Sequence, residues 1–502
     1  MNKEIELKFL VTSDVHPYLE QLFTSLNVLD KQDHSLKNSY FDTPEQTLRS
    51  FDCGLRIRHY PQKAEQTIKL AGDDIAGLSQ RPEYSEPIVG EKPNLFAFPA
   101  KIWPEGFHLQ EIQSSLIQLF QTDFHRRTWL IETMSGTRIE VAYDVGVIEA
   151  NGKQELINEV ELELINGSID DLFETASLMI QDEGWSLGGS SKAKRGYQLA
   201  GLAPQPDVRR MGFVPIQPDF TAYDALKSVM SYSVKHWQFH EQLYMQAPSL
   251  SALQQLKNAC SLILYVQTLF EDVFAALTPV DWTQSVQKIV TDFAWVDEAL
   301  LLQRMHYEYR QSLKNVPCPD KLNELIHQHQ QALPDIAMTK AYFSSGKYCK
   351  TMMSLTKWLV LHEKVKPKSI ALTEPVIQLA ARNLENSWKE LLTISKISEA
   401  FDHASYQSLR DMLRRNLQVG VCFATLYNSD PVQGFRLPWL NLLGRLSDLE
   451  HLEWIFDAMN QMCCPDSHAI RQWLSSQLTP RLVELDQIRQ RGIGMQPYWQ
   501  LV

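Results

Sequence analysis

The chain opens on a strict alternation of charged and apolar residues, Glu4-Ile5-Glu6-Leu7-Lys8-Phe9. Side chains of a strand point to opposite faces in turn, so Glu4, Glu6 and Lys8 share one face and Ile5, Leu7 and Phe9 the other. The same period of two returns in Leu55-Arg56-Ile57-Arg58, in Thr67-Ile68-Lys69, and in Arg81-Pro82-Glu83-Tyr84. Further on, Arg138, Glu140, Ala142 and Asp144 alternate with Ile139, Val141, Tyr143 and Val145, and Glu159, Glu161 and Glu163 alternate with Val160, Leu162 and Leu164. These segments predict strands. Between Gly201 and Phe220 the sequence is GLAPQPDVRRMGFVPIQPDF, where four prolines remove backbone donors and disfavour helix at the residues before them. Beyond it apolar residues recur at helical spacing, as in Tyr348 to Leu361 and Leu446 to Met459. Thr221-Ala-Tyr-Asp224 supplies an N-cap with an acidic residue three positions on. The pattern divides the chain into a β-rich domain over 1–202, a Pro-rich linker over 203–218 and an all-helical domain over 219–502. The helical part is long enough for more than one bundle.

Length and composition agree with an α+β multidomain protein. At a typical ~150 residues per domain, 502 residues make about three domain-sized units. A hydrophobic fraction of 44% and a charged fraction of 22% exclude wholesale disorder. The net charge of −12 gives no electrostatic reason to expect nucleic acid as a partner. It is unevenly placed: residues 1–202 hold 19 basic and 31 acidic side chains, and the rest hold 29 of each. No apolar stretch follows the N-terminus and no run approaches ~18 apolar residues, so neither a secretory signal nor a membrane span is expected. Seven scattered cysteines, Cys463-Cys464 adjacent among them, form no disulfide framework or zinc spacing. They are expected to be reduced, buried thiols in the cytoplasm.

The strand faces carry the chemistry. Glutamates at i, i+2 and i+4 repel one another unless something offsets them, and hard divalent cations do so with carboxylate oxygens. The pair Arg56 and Arg58 calls for an anion with several oxygens, because the planar guanidinium matches phosphate bidentately. A closed antiparallel barrel with its polar residues pointing inward would bring both sets together as a metal–phosphate site.

The residues also resemble a known family. EIELK at the start, YFDT at Tyr40 to Thr43, Arg56 with Arg58, RPE at Arg81 to Glu83, EVAYDVG from Glu140, EVELEL from Glu159 and SSKAKRGY at Ser190 to Tyr197 resemble, in order, the CYTH or triphosphate tunnel metalloenzyme family. That resemblance implies an eight-stranded antiparallel tunnel barrel. Members hydrolyse tripolyphosphate or thiamine triphosphate, remove RNA 5′-phosphates, or cyclise ATP. Carried over residue by residue, it makes Glu4 and Glu6 a metal-binding and catalytic pair, with Glu159 and Glu161 completing the carboxylates and Asp144 beside them. Lys8, Arg56, Arg58 and Lys69 would line the phosphate path, Lys8 also in a catalytic role. Phe124-His125-Arg126-Arg127-Thr128-Trp129 resembles the family's F-x-R-x-x-W segment and nominates Arg126, with Arg127 the alternative. Lys192 resembles the C-terminal lysine, with Lys194 the alternative. Glu83 and Glu140 are expected on the tunnel wall as supporting groups, and Glu163 either there or at a solvated strand end. The resemblance implies Mg²⁺ or Mn²⁺ and hydrolysis of inorganic triphosphate or another small polyphosphate. A class IV adenylate cyclase, a nucleoside or thiamine triphosphatase, and a non-catalytic polyphosphate-binding scaffold are the alternatives.

The helical half resembles the CHAD domain in its position behind the CYTH-like half, in Ser345-Gly-Lys-Tyr-Cys-Lys350 leading into Thr351 to Trp358, and in Leu443-Gly-Arg-Leu-Ser-Asp448. It departs from the arginine-studded helix of that family, since Lys257 is the only basic residue from Leu250 to Phe270. Long-chain polyphosphate binding by this half is therefore doubtful. Arg304, Arg310, Lys347, Lys350, Lys357, Arg414 and Arg415 form either one patch or a scattered surface, and a homo-oligomer through this half stays open. Gly346-Lys347 is not a Walker loop. His236 and His240, at i and i+4, are read as packed side chains rather than metal ligands.

Overall fold

The computed structural model describes residues 3–60, 63–75, 77–279, 281–307, 316–317, 319–361, 366, 368–396, 403–461 and 467–500. They fall into two compact units, one of Met1–Asp207 with Ala337–Leu361 and one of Val208–Ile336 with His362–Val502. The β-rich unit contains strands β1 (Lys3–Val11), β2 (Asn27–Asp42), β3 (Gly54–His59), β4 (Ala64–Lys69), β5 (Asp73–Ile75), β6 (Leu78–Ile88), β7 (Ile117–Glu132), β8 (Arg138–Ala150), β9 (Lys153–Asn166) and β10 (Trp185–Leu187). All pairings are antiparallel, in the order β10-β1-β9-β8-β7-β2-β3-β4-β6-β5. The further pairing of β1 with β6 closes β1, β9, β8, β7, β2, β3, β4 and β6 into an eight-stranded barrel, with β5 and β10 outside the ring. This is the expected α+β architecture, an antiparallel barrel followed by a largely helical region.

The barrel is polar inside and apolar outside. Leu7, Phe9, Ile57, Ile68, Val141, Val160 and Leu162 are at most 1% exposed although they face outward, because other segments jacket the ring. Helix Ile169–Met179 buries Leu172, Phe173, Ala176 and Met179, and Trp185 packs edge-on against Phe9 at 5.7 Å. The stretch between β6 and β7 covers Leu55, Ile57 and Ile68 with Leu95, Phe98 and Ile112. One end of the interior is apolar, with Leu36, Tyr40, Phe120, Phe124, Ile148 and Ile157 clustered around Tyr197 of helix Lys192–Leu199. Tyr197 donates to the buried Asp42 at 2.7 Å, and Asp42 also accepts the backbone N–H groups of Thr43, Leu48 and Arg49. A Cβ on Gly196 would lie 2.1 Å from the Phe120 ring, so glycine is what lets the helix approach β7.

The segment Ala337–Leu361 belongs to this unit, although the helical pattern runs through it. Ser344 O accepts the N–H groups of Gly184 and Trp185 at 2.8 and 3.2 Å, and Gly346 donates to Asp182 O at 2.7 Å. A Cβ at Gly346 would meet Gln181 O at 2.0 Å, so this glycine serves close backbone approach. Lys357 pairs with Asp170 and Glu174, each at 2.6 Å.

In the other unit, helices pack as sequential pairs: Ala222–Gln246 with Leu250–Leu269, Val376–Lys396 with His403–Phe423, and Ser429–Gln461 with Ser467–Ile493. The first begins with the capping box read from Thr221 and Asp224. The Pro-rich stretch carries no helix or strand up to Asp219, yet its second half is pinned down. Val214 and Ile216 are buried, Val214 N–H donates to Val421 O at 3.0 Å, and Ile216 N–H donates to Thr425 Oγ1 at 3.2 Å. His240 Nδ1 lies 2.8 Å from His236 O and its Nε2 accepts the Arg209 N–H at 3.3 Å, which leaves no ring nitrogen for a metal. Arg304, Arg410 and Arg414 converge on Glu450, whereas Lys357 lies in the barrel unit. Cys53, Cys260, Cys349 and Cys422 are buried; Cys318, Cys463, Cys464 and Arg310 lie outside the described residues. No helix among the described residues is long and apolar enough to cross a membrane.

Candidate active site inside the barrel

Strand register explains why the charged side chains meet. Lys8 stands opposite Glu161, Arg126 opposite Asp144, Asp144 opposite Glu159, and Lys69 opposite Glu83, and directly opposed side chains on one face interact. The pairs form two groups. In the first, Lys8 Nζ lies 2.7 Å from Glu161 and 3.2 Å from Glu159, while Arg126 holds Asp144 bidentately at 2.7 and 2.6 Å and reaches Glu161 at 2.7 Å. Lys192, at the start of its helix, contacts Asp144 at 2.7 Å, Glu161 at 3.0 Å, and Glu159. In the second, Lys69 contacts Glu4 at 2.6 Å and Glu83 at 2.9 Å, and Arg56 reaches Glu83 at 3.4 Å. Glu6 bridges the groups, 3.9 Å from Lys8 and 3.8 Å from Lys69.

The doublets resolve by face. Arg126 points inward, whereas Arg127 lies on the other face and pairs with Asp33 at 3.5 Å. Lys192 is 7% exposed inside the site and Lys194 is exposed. Glu140 stands opposite Glu163 on β9, and Glu163 stands opposite Glu6 on β1, so Glu163 belongs to the inner wall. Arg58 takes a different partner, donating from Nε to Asn38 Oδ1 at 2.9 Å.

Burial and charge set distinct protonation tendencies. Burial opposes the ammonium of Lys8, but Glu159, Glu161 and Glu6 outweigh it and hold its pKa well above the ordinary range. Burial likewise opposes a charged Glu161, yet Lys192, Lys8 and Arg126 keep its carboxyl well below the usual value, and Arg126 with Lys192 does the same for Asp144. Glu6 is raised by burial and by Glu161. Glu4 rises to about 8 through burial, against Lys69, with the hydrogen bond to Glu83 adding to the rise; Glu83 falls to about 2 because Arg56 and Lys69 overcome its burial. Glu163 rises to about 7 through burial, Glu140 and Glu6.

Oxygens of Asp144, Glu159 and Glu161 lie within 4.8 Å of one another. Three buried or half-buried carboxylates of this kind suit a hard divalent cation. The expected partners Glu4 and Glu6 stand beside this trio rather than within it, Glu4 in the Lys69 group. Pattern reading missed Arg195, which is 9% exposed and contacts Glu155 at 2.6 Å and Glu159 at 3.3 Å. Its signal was the i, i+3 spacing from Lys192 on one helix. Asn38 and Thr122 were also missed; Asn38 shares a strand face with Tyr40 and Asp42, and the period of two would have placed it inside.

The chain is similar to the following known proteins. The CYTH domain model matches residues 2–197. An inorganic triphosphatase of Haemophilus influenzae is 35% identical over 200 residues, which is 40% of this chain and 55% of that protein, so the chain spans about half the relative's length. Among solved structures, the CHAD domain of the plant Ricinus communis is 17% identical, with a TM-score of 0.45, over 58% of this chain and 98% of that one. A Hippeastrum adenylyl cyclase homologue with dominant triphosphatase activity is 20% identical, with a TM-score of 0.27, over 39% of this chain and 95% of that one. The match to the CYTH domain model runs from the first barrel strand to the helix that carries Lys192, Arg195 and Tyr197, and so takes in the whole barrel and its inner wall.

Proposed function

We propose that the barrel hydrolyses inorganic triphosphate to diphosphate and phosphate with Mg²⁺ or Mn²⁺. The observation that carries this reading is the convergence of Lys8, Arg56, Arg58, Lys69, Arg126 and Lys192 on one inner wall beside a carboxylate trio. Phosphoryl transfer depends on positioning and charge neutralisation more than on covalent chemistry. A divalent ion held by Asp144, Glu159 and Glu161 would supply Lewis-acid neutralisation of phosphate oxygens. The chain's own groups do the rest. Arg126 and Lys192 are placed to bind and orient phosphate oxygens beside that trio, and Arg56, Arg58 and Lys69 to fix the remaining phosphates. Glu6, raised by burial and by Glu161, is the better base and is suited to take a proton from an attacking water at its carboxylate. Asp144 and Glu161, held low by their cations, are suited to remain anionic ligands. A scaffold that merely binds polyphosphate needs the cations and has no use for the carboxylates. The name of the Haemophilus influenzae relative supports the choice of inorganic triphosphate. We place the activity in the cytoplasm and give the helical unit an accessory role.

The test is phosphate release by the full-length chain across a matrix of Mg²⁺, Mn²⁺ and no metal against tripolyphosphate, ATP and thiamine triphosphate, with cyclic AMP measured for ATP. Metal-dependent release highest on tripolyphosphate is expected. Cyclic AMP formation, or turnover confined to ATP or thiamine triphosphate, would replace this reading with another tunnel activity.

A further inference from the structure

We propose that Asn38 is a positioning residue that holds Arg58 with an uncharged acceptor, so that Arg58 remains a standing positive charge awaiting a substrate phosphate. This rests on the triphosphate reading above. Each other cation of the inner wall already has a carboxylate: Lys8 has Glu161, Arg56 has Glu83, Lys69 has Glu4, Arg126 has Asp144, and Lys192 has Asp144. Among the described residues no carboxylate pairs with Arg58. Glu65 on β4 stands opposite Arg58 in register but makes no ion pair with it within 4.0 Å, and burial, with Arg56 and Arg126, lowers the pKa of Arg58 to about 10.

The clamp is built across three strands. Asn38 on β2 stands directly opposite Arg58 on β3 and Thr122 on β7. Its side chain is fully buried, its Nδ2 donates to Thr122 Oγ1 at 2.9 Å, and its Oδ1 accepts from Arg58 Nε at 2.9 Å. Turning the amide over would set two donors against each other at Arg58, so the orientation is fixed by chemistry. Nε of Arg58 is engaged by Asn38 and the side chain also hydrogen-bonds the uncharged Tyr60 hydroxyl, so its guanidinium is held by neutral groups and keeps its charge for a phosphate, which a guanidinium binds well. Stability alone favours an acid here, since aspartate has the same shape and would neutralise a buried cation flanked by two others. The amide keeps the geometry and leaves the charge.

Asn38→Asp separates this role from a structural one. In the full-length protein with EDTA, the rise in Tm caused by inorganic tripolyphosphate is measured, followed by KM and kcat on tripolyphosphate with Mg²⁺. Asn38→Asp is expected to raise KM at least about tenfold with kcat changed less than about threefold, to reduce the ligand-induced Tm rise, and to leave the ligand-free Tm equal or higher. Thr122→Val keeps the charge but frees the amide, and is expected to raise KM about threefold. It serves as the deciding variant if Asn38→Asp does not fold. Wild-type KM and an unchanged Tm rise in the folded variant overturn the proposal and leave the triphosphatase reading standing. A wild-type protein stabilised by tripolyphosphate but unable to hydrolyse it overturns the activity alone, and the Tm rise then decides the role of Asn38. A wild-type protein that neither binds nor hydrolyses tripolyphosphate overturns both.

Discussion

Glu161 and Glu163 lie two residues apart on β9 and face the same way, yet neutralising them should move stability in opposite directions. Glu161 contacts Lys8, Arg126 and Lys192 at 2.7, 2.7 and 3.0 Å. At an effective dielectric near 20, each contact is worth roughly 5–6 kcal/mol of gross attraction. Desolvation and the remaining carboxylates Asp144 and Glu159 offset most of that, so breaking the buried set by Glu161→Gln should cost about 3–5 kcal/mol. For a unit of this size that corresponds to a fall in Tm of about 10 °C. Among the described residues Glu163 makes no such ion pair; burial, Glu140 and Glu6 raise its carboxyl to about 7 although Lys69 acts against them. Because the folded protein keeps a proton that the unfolded chain releases from its ordinary pKa of 4.5 upward, Glu163 erodes stability as pH rises from 4.5 through 7. The loss reaches up to about 3 kcal/mol by pH 8. Glu163→Gln should therefore raise Tm at pH 8 and leave it nearly unchanged at pH 4.5. Glu161 has the opposite sign: its lowered pKa contributes stability above 4.5 that disappears as pH falls, so Glu161→Gln should matter most at pH 8. The assay is thermal unfolding with EDTA at both pH values, followed as loss of β-sheet circular dichroism. Equal falls in Tm for the two variants, or no fall for Glu161→Gln, would refute the reasoning.

Three further outcomes are expected. Tyr197→Phe removes a hydrogen bond to the buried Asp42, which keeps its three backbone donors, and should cost about 1–2 kcal/mol of barrel stability by denaturant unfolding. Gly196→Ala drives a methyl into Phe120 and should destabilise by about 1–3 kcal/mol, with partial rescue by Phe120→Leu. His451, 1% exposed, has its pKa lowered to about 4 by burial, Arg481 and Arg304. The stability of a neutral His451 is intact above 6.5 and is lost as pH falls toward 4, by up to about 3 kcal/mol. Acid titration of the helical unit should show this loss, and His451→Gln should flatten it.

The ring of strands was legible because β1, β3, β8 and β9 keep a period of two without interruption. Which face turned inward was legible only through charge: one alternating strand reads as core-in and water-out, whereas repeated like charges on strands bound to meet required partners. Glu161 and Lys8 were thus found together before their register was known. Arg126 and Arg127 could not be separated by type, since both are arginines, and only the pairing of β7 with β8 decides which one faces Asp144. Asn38 carries no charge, so the strand period alone, which sets it on the face of Tyr40 and Asp42, could have placed it inside. The jacket between β6 and β7 and the docking of Ala337–Leu361 on the barrel unit depend on contacts distant in sequence. Gly346 looked like part of a phosphate loop to be rejected, and its role in backbone approach appears only when Gln181 is beside it. The helix Ser429–Gln461 runs through Pro438, where local rules favour a break.

The central claim is that the inward-facing carboxylates and cations of the barrel form one triphosphate-hydrolysing centre. Its most direct test is phosphate release from tripolyphosphate by wild type and Glu6→Gln, each with Mg²⁺ or Mn²⁺, alongside circular dichroism of both proteins. Metal-dependent release by the wild type is expected, with a loss of at least about a hundredfold in Glu6→Gln and the fold retained. Full activity in a folded Glu6→Gln, or a wild type inert toward tripolyphosphate with either metal, would contradict it.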